Sequence, residues 1–215
     1  PQIDFNRKIK NKLTALLLAT SNLSLFKLIY THCSSLSNAD KLMALREAAI
    51  LGHMEVTQYL CEQGISLTQN VGQYSPAIVV AMGSHNEDMI RLMQTYTAFY
   101  NQAYHPEMLA MATKNNRPYA IRALLMEQVD INCLDVTGRP MLCLAVEKNA
   151  ISACELLLQQ GIDLNLVSRE GNTALHYAAK SGKINLLQML MAHGASLTVK
   201  NHSGLTPRDM AEAHD

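Results

Sequence analysis

The chain has no tryptophan and only three phenylalanines, and 10 glycines and 6 prolines are few for its 215 residues. With 12 methionines and moderate apolar content, this composition reads as helical. Charge of either sign is not in excess: Lys plus Arg and Asp plus Glu number 18 each, so no net field exists to hold nucleic acid or an anionic membrane, although a local patch stays open. Apolar runs such as Ala77-Ile78-Val79-Val80-Ala81-Met82 are far too short to span a bilayer. The five cysteines are odd in number and include no C-x-x-C pair, which argues against a disulfide framework and a zinc site and fits a reducing, cytoplasmic setting. No signal-peptide pattern occurs, and the chain begins at Pro1 without a methionine, so it reads as a fragment whose targeting information can lie elsewhere. Dinucleotide, P-loop, H-E-x-x-H and nucleophile-elbow motifs are all missing, and neither a catalytic residue, a cofactor nor a metal is expected.

What is present is self-similarity. Gly138-Arg139-Pro140-Met141-Leu142-Cys143-Leu144-Ala145-Val146 aligns with Gly171-Asn172-Thr173-Ala174-Leu175-His176-Tyr177-Ala178-Ala179 at an offset of 33 residues. Leu156-Leu157-Leu158 and Gly161 match Met189-Leu190-Met191 and Gly194 at the same offset. Leu109, Ala112 and Leu124-Leu125 extend the frame backwards, and Gly52-His53 and Ser84-His85 share a slot at a spacing of 32. Thr14 to Thr20 parallels Thr173 to Ala179, and Gly204-Leu205-Thr206-Pro207 opens a unit that stops after one helix. A fixed period of this length marks a stack of repeats, each too small to bury its own apolar face.

The period and these residues resemble the ankyrin repeat. The resemblance implies an all-α fold: an α-solenoid of helix–turn–helix pairs joined by β-turn or hairpin loops, forming one domain over 1–215. Its repeats fall at approximately 8–40, 41–72, 73–104, 105–137, 138–170 and 171–203, with a partial unit at 204–215. Thr173 and Thr206 stand at helix N-caps, with Pro207 at a first helical position where its missing N–H costs nothing. His176 takes the family's inter-repeat hydrogen-bonding position, and His53 and His85 the position after the helix–helix turn. Structural roles explain all three better than catalysis. Cys143 replaces histidine in the His176 slot and is expected to behave as a small buried hydrophobe rather than a nucleophile. The methionines, among them Met54, Met89, Met93, Met189 and Met191, fall at packing slots.

The resemblance also implies where a partner binds: on a concave face built from turn tips and the ends of first helices. Carried over residue by residue, that frame selects Ile50, Tyr74, Met82, Tyr104, Lys114, Arg139, Glu147, Arg169 and Lys180. Its first half is apolar and aromatic, its second half charged and partly basic. The segment Tyr96 to Tyr104 departs from the family and clusters aromatics, Phe99 and Tyr100 among them, where a polar turn is usual. Those rings either face a partner or fold inward to patch a seam between two degenerate repeats. The expected function is that of a monomeric protein–protein interaction module. The stop at Asp215, partway through a repeat, motivates an alternative: the targeting part of a larger enzyme, or of a secreted effector, whose catalytic domain lies outside the chain. Asn-, Gln- and Met-rich composition is similar to that of ankyrin effectors delivered by intracellular bacteria into host cytoplasm or nucleus, and a eukaryotic adaptor is the other reading.

Overall fold

A computed structural model describes residues 12–33, 36–70, 72, 74–96 and 104–212. The chain is all-α and repetitive, and it divides into two compact units, residues 1–100 and 101–215.

In the first unit, α1 (Lys12–Leu18), continued by a 3-10 turn at Ala19–Ser21, pairs with α2 (Leu23–His32). The next pairs are α3 (Asn38–Leu51) with α4 (Met54–Glu62), and α5 (Ala77–Met82) with α6 (Glu87–Tyr96). First helices stack on first helices, α1 on α3 and α3 on α5, while α2 packs on α4 and α4 on α6. Ser37 and Asp40 form a reciprocal capping box at the start of α3, which satisfies two otherwise free amides. Between α2 and α4, Phe26 stacks on Tyr30, and both meet Tyr59 edge-on at 6.3 and 5.6 Å between ring centroids. Phe26 and Tyr59 are 33 residues apart, so one repeat's aromatic ring packs on its equivalent in the next.

The second unit pairs α7 (His105–Lys114) with α8 (Pro118–Met126), α9 (Met141–Glu147) with α10 (Ile151–Gln159), and α11 (Ala174–Lys180) with α12 (Ile184–Ala192). A last helix, α13 (Pro207–Glu212), packs on α11, and α9 contacts both α7 and α11. Fully burying one Leu side chain is worth roughly 1.5–3 kcal/mol. Leu109, Leu142, Leu157, Leu175 and Leu190 are all buried, and the helices contact one another both within and across pairs, so each repeat draws part of its stabilisation from its neighbours.

The turns leading into α9, α11 and α13 are each organised around one buried polar residue, which recurs every 33 positions as Asp135, Ser168 and Asn201. The amides of Asp135, Ser168 and Asn201 donate to the carbonyls of Arg139, Asn172 and Leu205 at 2.9 Å, closing each turn. Asp135 Oδ1 also accepts from the amides of Thr137 and Arg139, and Asn201 Oδ1 from those of Ser203 and Leu205. At the tip of one turn, Gly171 has φ +77°, and a Cβ there would lie 2.7 Å from the amide nitrogen of His202 in the following turn. Only glycine meets both conditions without strain.

Polar bonds also tie one repeat to the next. Asn116, at φ 56° in the α7–α8 turn, accepts the Ala153 amide of α10 at 2.8 Å, so its carboxamide caps a helix of the following repeat. Lys183 reaches back with 2.8 Å bonds to the carbonyls of Val146 and Glu147 at the end of α9, where positive charge is favoured. His176 is fully buried; its Nδ1 accepts the Thr173 amide at 3.1 Å, so Nε2 carries the proton and donates to the Leu205 carbonyl at 3.1 Å. One repeat earlier, the Cys143 thiol points to the equivalent carbonyl, that of Asn172, at 3.7 Å. Burial pushes the Cys143 thiol up to about 12, which leaves it protonated at neutral pH and supports the packing role over a nucleophilic one.

Two outcomes follow. Thr113 is buried with its hydroxyl unpartnered, while Val146 fills the same slot one repeat later. Thr113→Val should stabilise the second unit by about 1 kcal/mol in chemical denaturation, by removing an unmet desolvation cost. Burial also pulls His176 below the usual imidazole range, against the opposing pull of its bond to Leu205. The unfolded chain therefore binds a proton near its ordinary pKa of about 6.5 more readily than the folded one, and stability present above that value is lost as the pH falls below it. The melting temperature should drop between about pH 7.5 and about pH 5.5, and His176→Cys, which copies the Cys143 slot, should show a smaller drop.

Candidate protein-binding surface

The turns before α9, α11 and α13 close on their own backbone, and exposed side chains stand at turn tips and at the ends of first helices as well as on second helices such as α8 and α12. In the first unit, Ile50 and Leu51 close α3 and are 41 % and 58 % exposed. Tyr74, in the turn before α5, is 46 % exposed, and its ring is covered on one side by the Arg46 guanidinium, 5.1 Å from the ring centre. Arg46 also pairs with its neighbour Glu47 at 2.7 Å.

Met82 needs correcting. It was expected at the partner-facing end of its helix, but its side chain is fully buried. The six residues of α5 are all apolar and all but Val80 are buried, so this helix has no solvent stripe on which Met82 could stand. Of the methionines assigned to packing, Met89 and Met93 are buried, whereas Met191 is exposed. Phe99 and Tyr100 lie outside the described residues. Tyr96 is exposed and Tyr104 half-buried at the N-cap of α7.

In the second unit the structure brings Arg139 and Glu147 together. The Arg139 guanidinium bridges Asp135 of its own turn, at 3.0–3.1 Å, to Glu147 at the end of α9, and Lys148 holds the other Glu147 oxygen at 3.0 Å. Burial works against both carboxylates, yet both are held below their usual range, Asp135 by Thr137 and Arg139 and Glu147 by Lys148 and Arg139. Glu170 is exposed and held low chiefly by the Ser168 hydroxyl, which donates at 2.6 Å, with the Tyr177 hydroxyl at 3.4 Å. Lys114 and Lys180 occupy the Glu147 position in the preceding and following repeats, and both are exposed. Arg169 is exposed as well, and its side chain crosses the tip of the preceding turn, where a Cβ on Gly138 would lie 2.7 Å from Nε. Lys114, Arg169 and Lys180 make no hydrogen bond or ion pair among the described residues.

Several residues that hold the repeats together are not apparent from motif matching: Asp135, Asn116, Lys183 and, between the second helices α2 and α4, the Phe26–Tyr30–Tyr59 cluster. The recurrence of Asp135, Ser168 and Asn201 at the repeat period is the signal that finds the first. A separate cleft of about 300 Å³ is lined by Asn149, Ile151, Gly182, Lys183, Ile184, Asn185 and Leu186, with Ile184 largely exposed. Among the described residues no group of three His, Cys, Asp or Glu side chains could hold a metal ion, and no helix is long and apolar enough to cross a membrane.

A family model of ankyrin repeats, in three copies, matches residues 108–201. No curated protein sequence matches the chain. Among solved structures, the ankyrin repeat domain of Bcl-3, described as a unique member of the IkappaB protein family, superposes with a TM-score of 0.73 at 24% identity, covering 92% of this chain and 96% of that one. The human ASB11 ankyrin repeat domain superposes with a TM-score of 0.78 at 19% identity, covering 91% and 90%. At these identities the likeness speaks for the fold, and the family match speaks for the repeats themselves. Residues 108–201 thus match the ankyrin-repeat family, and the all-α repeat architecture of the chain is consistent with an ankyrin-repeat solenoid.

Proposed function

We propose that the chain binds another protein through the turn tips and first-helix ends of its repeats. One observation carries this reading. Buried polar groups at the turns are spent on internal bonds, while Ile50, Tyr74, Lys114, Arg169 and Lys180 project outward at the repeat positions where packing requires nothing of them. Side chains of mixed apolar, aromatic and basic character, held on turns and helices fixed from behind, lose little freedom on docking and suit a specific interface. Arg139 and Glu147 serve this surface differently from the sequence-based expectation: their ion pair braces a turn against a helix end, and their direct contact with a partner is secondary. The kinship in composition with bacterial effectors gains nothing from the comparisons, and the source of the chain does not enter the proposal.

The test is affinity capture from lysate followed by hydrogen-exchange footprinting of the purified complex. Protection is expected at the turn tips near 72–75, 136–139 and 169–172 and at the ends of α3, α9 and α11. Protection confined to the cleft around Ile151 and Ile184, on the second helices, would move the binding site there and reject the turn-and-first-helix reading.

A further inference from the structure

We propose that the partner segment docking on the second unit is acidic; this inference rests on the interaction reading above and specifies the chemistry of its partner. The argument concerns which charges remain available. Asp135 and Glu147 are both engaged by Arg139, and Glu147 also by Lys148, so these four groups neutralise one another. Glu170 is occupied by the hydroxyls of Ser168 and Tyr177. Asp209, at the next first helix, is bonded to the backbone and hydroxyl of Thr206. Against these satisfied carboxylates stand three exposed cations, Lys114, Arg169 and Lys180, with no partner among the described residues. Hydrogen bonds leave the charges of Glu170 and Asp209 in place, so five cations stand against four carboxylates here, a net positive surplus of one that the chain's even overall charge conceals.

Register gives this surplus a direction. Lys114, Glu147 and Lys180 are spaced by the 33-residue repeat, at the ends of α7, α9 and α11, whose mutual packing sets them in a row. Neighbouring helices pack about 8–10 Å apart, so Lys114 and Lys180 are separated by roughly 16–20 Å, about the span of five or six extended residues. The centre of the row is the one position already neutralised, at Glu147, and Arg169 stands at the turn tip between the second and third repeats of the unit. An extended segment with acidic side chains about five or six residues apart reaches both lysines, and a carboxylate between them can take the planar Arg169 fork in two parallel bonds. Such a segment breaks no internal pair. A basic segment would have to compete with Arg139, Lys148 and the hydroxyls for every carboxylate on this face.

The experiment uses the full chain and fluorescence anisotropy with three labelled probes of equal length. These are an extended peptide with glutamates at the stated spacing, a Gly–Ser peptide, and a single-stranded oligodeoxynucleotide. The acidic peptide should bind, with affinity falling about tenfold between low and moderately high salt. Lys114→Glu/Arg169→Glu/Lys180→Glu should abolish that binding, and the milder Lys114→Gln/Arg169→Gln/Lys180→Gln should weaken it at least about tenfold, with folding checked by circular dichroism. Binding of the acidic peptide no tighter than the Gly–Ser peptide, or unchanged in both folded variants, overturns the proposal. Tighter binding of the oligonucleotide overturns it in favour of a nucleic-acid partner. If the acidic peptide fails while lysate capture and the turn-tip footprint persist, the interaction module stands and only the acidic partner is rejected.

Discussion

No helix pair in this chain can close its own core, and that constraint shapes everything else in it. The first helices of the second unit are only six to ten residues long, and α9 buries all of Met141 to Val146. A helix that short and that apolar is unstable in water unless neighbours cover it on more than one side. The neighbours are supplied by repetition, and repetition demands that each junction be nearly identical. The buried turn residue at Asp135, Ser168 and Asn201 meets that demand. So do the histidine or cysteine that reaches the next turn's carbonyl, and the Asn116 and Lys183 side chains that cap helices in adjacent repeats. These groups spend their hydrogen bonds across the junctions.

The same economy determines what faces outward. A position bound by neither the core nor the junction bonds is free to vary, and in the second unit those positions hold Lys114, Arg169 and Lys180 beside a closed Asp135–Arg139–Glu147–Lys148 network. In the first unit they hold Ile50, Leu51 and Tyr74, with Arg46 against the tyrosine ring. Scaffold and recognition are thus separated residue by residue within each repeat, and neighbouring positions such as Asp135 and Val136 differ completely in role, one buried and the other exposed.

Legibility in the sequence followed the same division. The repeat frame, the helical class and the packing role of Cys143 and His176 were readable because an offset of 33 aligns residues whose environments are equivalent. The candidate surface was readable only as a set of positions. Nothing local links Arg139 to Glu147 eight residues away, or Arg46 to Tyr74, because those pairs form by contact between a turn and a helix, not by helical spacing. Met82 was misplaced because α5 lacks the polar stripe that orients other first helices, so its outward face could not be identified. The Asn116 cap escaped notice because its helix lies in the next repeat, 37 residues on.

The central claim, that junctions between repeats hold each repeat folded, is tested most directly by native-state hydrogen exchange on Asn116→Gly. Glycine retains the left-handed backbone at this turn and removes only the carboxamide that caps α10. The account predicts faster exchange at Ala153 and along the first turns of α10, one repeat away from the substitution, with a loss of about 1 kcal/mol in local stability. Faster exchange restricted to α7 and α8, with α10 unchanged, would show that each helix pair holds itself together, and would contradict the account.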